Sequence, residues 1–183
     1  MPANNIKRKG EIHLSDITTL RVQKETKPKI EDVLPYSLEG GMRELAQGFV
    51  AHLRANRMTP SWGGVHNTWK ANFKGKLICS IRMGAGWWND RKNARLAITP
   101  YLNHLGAYEG SIMDEGMRDC VWANLFDCEG CHPPPCVAKT ITILGRQFDS
   151  ICGGRPPVWF FDPDEAAIGC IQRLLEFEKQ ARV

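Results

Sequence analysis

Four of the chain's seven cysteines fall between positions 128 and 152, in the run Cys128-Glu-Gly-Cys131-His-Pro-Pro-Pro-Cys136 and then at Cys152. Two thiolates separated by two residues can bind one metal, Gly130 relaxes the turn between them, and a later pair completes the tetrahedron that Zn2+ prefers. The spacing predicts a structural zinc site with Cys128, Cys131, Cys136 and Cys152 as ligands, a closed site that leaves no position for substrate. The same residues support other chemistry. His132 could replace one thiolate, although its adjacency to Cys131 makes it a less natural ligand than Cys152. Cys128 and Cys131 could be a disulfide or redox pair, since Cys-x-x-Cys spacing lowers a thiol pKa at a helix start; here the pair follows a predicted helix, so that dipole contribution is missing. An iron–sulfur cluster and unrelated core cysteines are the remaining readings. Cys79 and Cys170 read as packing, because free cysteine behaves as a small hydrophobe.

A second constellation is aromatic. Trp87 and Trp88 lie in a glycine-bounded loop with Arg91, Lys92 and Arg95 just beyond. An indole beside cations suits stacking of a planar, anionic or aromatic ligand. Neighbouring residues of an extended segment point to opposite sides, so one of the two indoles is expected at the surface. The alternative is that one ring packs under the loop while the cations are solvated. For catalysis the chain is poor: it has no Gly-rich phosphate loop, no His-Glu-x-x-His and no nucleophile elbow, and His66, Asp90, Asp114 and Glu115 stand isolated.

These residues must be held by the elements around them. Met42, Leu45, Ala46, Phe49, Val50 and Leu53 recur at helical spacing from Ser37, and Pro60 ends that helix, with His52 a structural histidine on its flank. Trp69, Ala71 and Phe73 alternate with polar residues and turn at Gly75 into Leu77–Met83, a hairpin with one buried face. Leu96-Ala97-Ile98 predicts a third strand. A second helix over 109–126 delivers the chain to Cys128, the three prolines after His132 stiffen the link between the second and third thiols, and a hairpin over 140–152 returns the fourth. Val158–Phe161 reads as a buried strand. Asp162-Pro163-Asp164-Glu165 predicts a helix start with Asp162 as cap, running to about Gln180 with Ile168, Ile171, Leu174, Leu175 and Glu178 facing inward. The expected fold is α+β: a small antiparallel sheet packed with about three helices, plus a Cys-rich metal-binding loop and hairpin.

The chain, at 183 residues, is long enough for a core without disulfide staples. Its net charge of +4 is concentrated in residues 1–29, where seven Lys and Arg face three acids, leaving seventeen of each sign in the rest. The sequence thus divides into a basic, partly ordered arm over 1–30, loosely strand-like, and a neutral α+β domain over 31–183 that contains the cysteines. Any nucleic-acid attraction is expected from the arm. No apolar run follows the basic start and none approaches the roughly 18 residues of a membrane span, so a cytoplasmic protein without membrane partners is expected. Clustered cysteines in a reducing compartment favour metal over disulfide.

The run Phe49-Val50-Ala51-His52-Leu53-Arg54-Ala55-Asn56, with Trp69-Lys70, Lys74–Cys79, the Cys128/Cys131/Cys136 group, Leu144–Asp149 and Cys152, resembles a family of small uncharacterised bacterial proteins over about residues 33–182. Its hairpin part is also distantly similar to the double-wing fold of the YjbR type. The resemblance implies a cytosolic location and a shared cysteine cluster, and no reaction. The leading functional expectation is an intracellular zinc-stabilised binding module for a small molecule or protein. Its rivals are a thiol-dependent redox or metal-dependent enzyme using Cys128 and Cys131, and a nucleic-acid binder using the basic arm.

Overall fold

Two tight hairpins frame the architecture, and both use the same backbone device. Lys74 and Gly75 join β2 (Thr68–Phe73) to β3 (Lys76–Met83) with φ of 48° and 77°, and Leu144 and Gly145 join β5 (Ala138–Ile143) to β6 (Arg146–Cys152) with 50° and 77°. Two successive left-handed residues make a turn whose twist matches that of the flanking strands. The computed structural model describes residues 14–84, 93–128 and 137–182.

The fold is α+β. A five-stranded antiparallel sheet has the order β1-β2-β3-β4-β7, with β1 at Thr59–Trp62, β4 at Leu96–Pro100 and β7 at Phe160–Phe161; β5 and β6 form a separate two-stranded sheet. Pro60 is tolerated because β1 is an edge strand. Every residue of β4 is buried, so the sheet is covered on both faces at this strand. Six α-helices are present among the described residues: α1 (Leu20–Thr26), α2 (Ile30–Ser37), α3 (Gly40–Ala55), α4 (Glu109–Asp114), α5 (Arg118–Ala123) and α6 (Glu165–Ala181). Helices α2 and α3 pack on β1, and α6 packs on α3, β3 and β4. The shared core holds Trp69, Phe49, Phe160, Leu34, Leu53 and Met83, all fully buried.

Four differences from the sequence reading have clear causes. The segment before residue 30 is not strand-like where it is described. It forms a 3-10 turn (Leu14–Thr18) and α1, capped by Thr19, and buries Val22 and Gln23. The Gln23 amide oxygen accepts from the Trp62 indole and the Asn67 backbone N–H, while its NH2 donates to the Ile17 carbonyl and to Asn67. The single helix expected over 109–126 breaks into α4 and α5 at Gly116, whose φ of 69° cannot continue a helix. The chain then runs on through 125–128, bridging Leu125 to Val158 and Asp127 to Ile151 and so stitching the two sheets together. Finally, the cap of α6 is Asp164, which accepts from the Ala167 N–H, and not Asp162.

Asp162 has a different task. Its φ is 42°, and its Oδ1 accepts from the backbone N–H groups of Arg95 and Leu96 at 2.8 and 2.9 Å, joining the β7–α6 corner to the start of β4. Aspartate tolerates the left-handed conformation better than most residues. Asp162→Ala removes both acceptor contacts and leaves a strained backbone, so a loss of about 1–3 kcal/mol is expected in denaturant unfolding, with a smaller loss for Asp162→Asn.

Candidate functional site

The end of β6 carries Cys152, one of the two expected metal ligands among the described residues. Phe126, Cys152 and Trp159 form a small buried cluster beside the main core, and Cys128 and Phe161 pack against it. Antiparallel pairing of Asp127 with Ile151 puts Cys128 on the same strand face as Cys152, and the Cys128 N–H donates to the Ser150 carbonyl at 2.5 Å. Two thiols 24 positions apart in sequence are thereby brought to one corner. On the opposite side of β6, Ala138 is the direct partner of Cys152. The rings of Phe126, Trp159 and Phe161 lie 5.4–6.3 Å apart and wall the corner, with the Trp159 indole donating to the Pro156 carbonyl.

Cys131, Cys136 and His132 lie outside the described residues, as do Trp87, Trp88, Arg91 and Lys92. The described residues thus contain two of the four expected ligands, and among them no group of three or more His, Cys, Asp or Glu side chains could hold a metal. The donor chemistry of Cys128 and Cys152 fits zinc, and their shared face is what a common ligand sphere needs. The chain is close-packed there. Gly153 donates to the Val137 carbonyl, and a Cβ at Gly153 would come within 2.7 Å of that oxygen and 2.8 Å of the Lys139 side chain. Gly153→Ala is expected to push Val137 away from the corner and to destabilise by about 1–3 kcal/mol, measured by thermal or denaturant unfolding.

The other sequence candidates resolve into structure. The four described tryptophans each donate their indole N–H: Trp62 to Gln23, Trp69 to the Pro28 carbonyl, Trp122 to the Ile143 carbonyl and Trp159 as above. His52 sits beside Asn56 on α3, and burial pulls its pKa down. Cys79 is fully buried, and burial pushes its thiol pKa far up, as expected of an inert core cysteine.

Sequence reasoning missed two groupings. The first is a buried polar network on α6. Glu178 is fully buried and accepts from the Tyr108 hydroxyl at 2.7 Å, the His104 backbone N–H at 3.1 Å and the Arg182 Nε at 2.8 Å, with His104 Nδ1 also 2.8 Å away. Arg182 continues it to the carbonyls of Leu77 and Tyr101. Burial pushes the Glu178 carboxyl up, but the bonds from His104, Tyr108 and Arg182 outweigh it and hold the pKa below the usual carboxylate value. The second grouping is Cys120 on α5 with Cys170 on α6, which line the same cleft. Neither carries a spacing motif, because each joins residues at least 50 positions apart.

Among the described residues, no helix is long and apolar enough to cross a membrane. Comparison of the chain with protein-family models, curated proteins and solved structures returned no match.

Proposed function

We propose that this chain is a zinc-stabilised binding module, in which Cys128, Cys131, Cys136 and Cys152 hold a structural metal that locks the β5–β6 hairpin onto the main sheet. The observation that carries this reading is the position of Cys152 between the two ends of the thiol loop. The segment entering the loop lies on one side of β6 and the segment leaving it on the other. Strands stand about 4.8 Å apart and rise about 3.3 Å per residue, and Cys128 lies opposite Ser150 while Val137 lies opposite Gly153, so the two anchors are roughly 14 Å from each other on either side of Cys152. A chain reaches at most about 3.6 Å per residue, so Cys131 is tethered within roughly 11 Å of Cys128 and Cys136 within roughly 4 Å of Val137. Four thiolates within reach of one corner would make the soft, closed donor set of structural zinc.

The recognition surface in this reading is the loop over 85–92 with Trp87, Trp88, Arg91 and Lys92, and its ligand is planar and anionic or aromatic. Its support is the base from which the loop departs: Gly84 donates to the Arg95 carbonyl, closing the β3–β4 ends, and Arg82 lies on β3 close enough to Arg155 for the two charges to interact. That is a concentration of positive charge at the base of the loop.

Metal analysis of freshly purified protein tests the proposal. One zinc per chain is expected, with all seven thiols reacting once the metal is chelated and the chain unfolded without reductant. A metal-free chain carrying a Cys128–Cys131 disulfide overturns it and selects the redox alternative.

A further inference from the structure

Away from the metal corner, α5 and α6 bring a second pair of thiols together. Cys120 is partly exposed and Cys170 is 8% exposed, and both line a cleft of about 630 Å³ between the two helices. Small residues, among them Gly116, Ala123, Ala167 and Gly169, leave room around the sulfurs. At the rim, Arg173 is held by Glu115 through short bonds and by Glu176 at 3.0 Å, and Asp164 is occupied as the α6 cap. The dithiol therefore sits in an accessible depression whose nearby charges are already engaged with each other or with the backbone.

We propose that Cys120 and Cys170 form a thiol–disulfide exchange site that takes a low-molecular-weight disulfide of the oxidised-glutathione class, with Cys120 as the attacking thiol and Cys170 as the resolving thiol. The division of roles follows from exposure, Cys120 being partly open and Cys170 buried. The neighbouring Cys170 thiol pulls the Cys120 pKa down, against burial and the Asp164 charge, while Cys120 and burial push the Cys170 thiol up. Cys120 thiolate attacks one sulfur of the small disulfide, forming a mixed disulfide and releasing one small thiolate. Cys170 then gives up its proton and attacks the Cys120 sulfur, releasing the second small thiol and leaving a Cys120–Cys170 bond. Two electrons pass from the protein dithiol to the small disulfide, and the two protein thiol protons end on the two released thiols.

The full-length, metal-loaded chain is incubated with oxidised glutathione, quenched by alkylation and mapped by non-reducing peptide mass spectrometry. The expected product is a Cys120–Cys170 bridge with two reduced glutathiones released per chain and no change in zinc content. Cys170→Ser is expected to accumulate a stable glutathione adduct on Cys120, Cys120→Ser to show neither bridge nor adduct on Cys170, and Cys79→Ala to behave as the parent. A parent that forms no 120–170 bridge overturns the proposal, as does a bridge involving Cys128 or Cys152, or an adduct on Cys170 in Cys120→Ser. If either serine variant fails to fold by circular dichroism, the parent's own peptide map decides the matter.

Discussion

Replacing Glu178 by leucine is expected to destabilise the fold by about 3–5 kcal/mol, among the largest effects of any single substitution in α6, because it strands a buried cation. The Arg182 side chain is only 4% exposed and is bonded to Glu178 Oε1. Without the carboxylate, its charge keeps only backbone carbonyls, those of Lys76, Leu77 and Tyr101, and the Tyr108 hydroxyl loses its acceptor. Glu178→Gln keeps the shape and one acceptor oxygen and should cost less. The same network predicts a pH dependence. The folded pKa of Glu178 is lowered, so the native state holds its proton less tightly than the unfolded chain does. Its stabilisation is fully present above the ordinary carboxylate pKa of 4.5 and is lost as pH falls through the folded value. Chemical denaturation from neutral pH downward checks this: the difference between parent and Glu178→Gln should narrow as the solution is acidified, and a constant difference would rule the linkage out.

Cys152→Ser is expected to have the larger structural reach. In the zinc reading this one change removes a ligand, abolishes stoichiometric metal and frees the β5–β6 hairpin, since metal binding energy is folding energy at such a site. The hairpin is poorly equipped to hold itself: most of β5 and β6 is exposed, and the buried residues at its two ends, Ile143, Ile151 and Cys152, carry its attachment to the core. Amide exchange over 138–152 should rise sharply in the variant, and in the parent after chelation, while the β1–β4 sheet stays protected. A Cys152→Ser chain with full zinc content would remove Cys152 from the ligand set. The hairpin turn supplies a control. Leu144 is held at φ 50° with its N–H donating to Glu109 Oε1, so an attachment independent of metal persists at the far end of the strand pair.

The α+β class, the two hairpins, the central strands and α6 could be read from the chain because each depends on local periodicity. Trp69 and Ala71 alternate with Lys70 and Asn72, Gly75 and Gly145 occupy left-handed turn positions, and Ile168, Ile171, Leu174 and Leu175 repeat at helical spacing. Spacing alone also singled out the four cysteines. Other features could be settled only by tertiary structure. Gly116 splits a helix that an unbroken apolar stripe had predicted. Pro60 reads in sequence only as the end of a helix, yet it lies in β1, where an edge position accommodates it. Glu178 stood out in sequence only as a charge on an apolar face; its meaning comes from His104 and Tyr108, at least 70 positions away. Cys170 looked like a lone packing residue until α5 was laid against α6 and brought Cys120 to the same cleft. The physical reason is the same in each case: backbone preference and hydrophobic period act over a few residues, whereas burial and the polar partners that burial demands depend on which distant segments the finished fold places together.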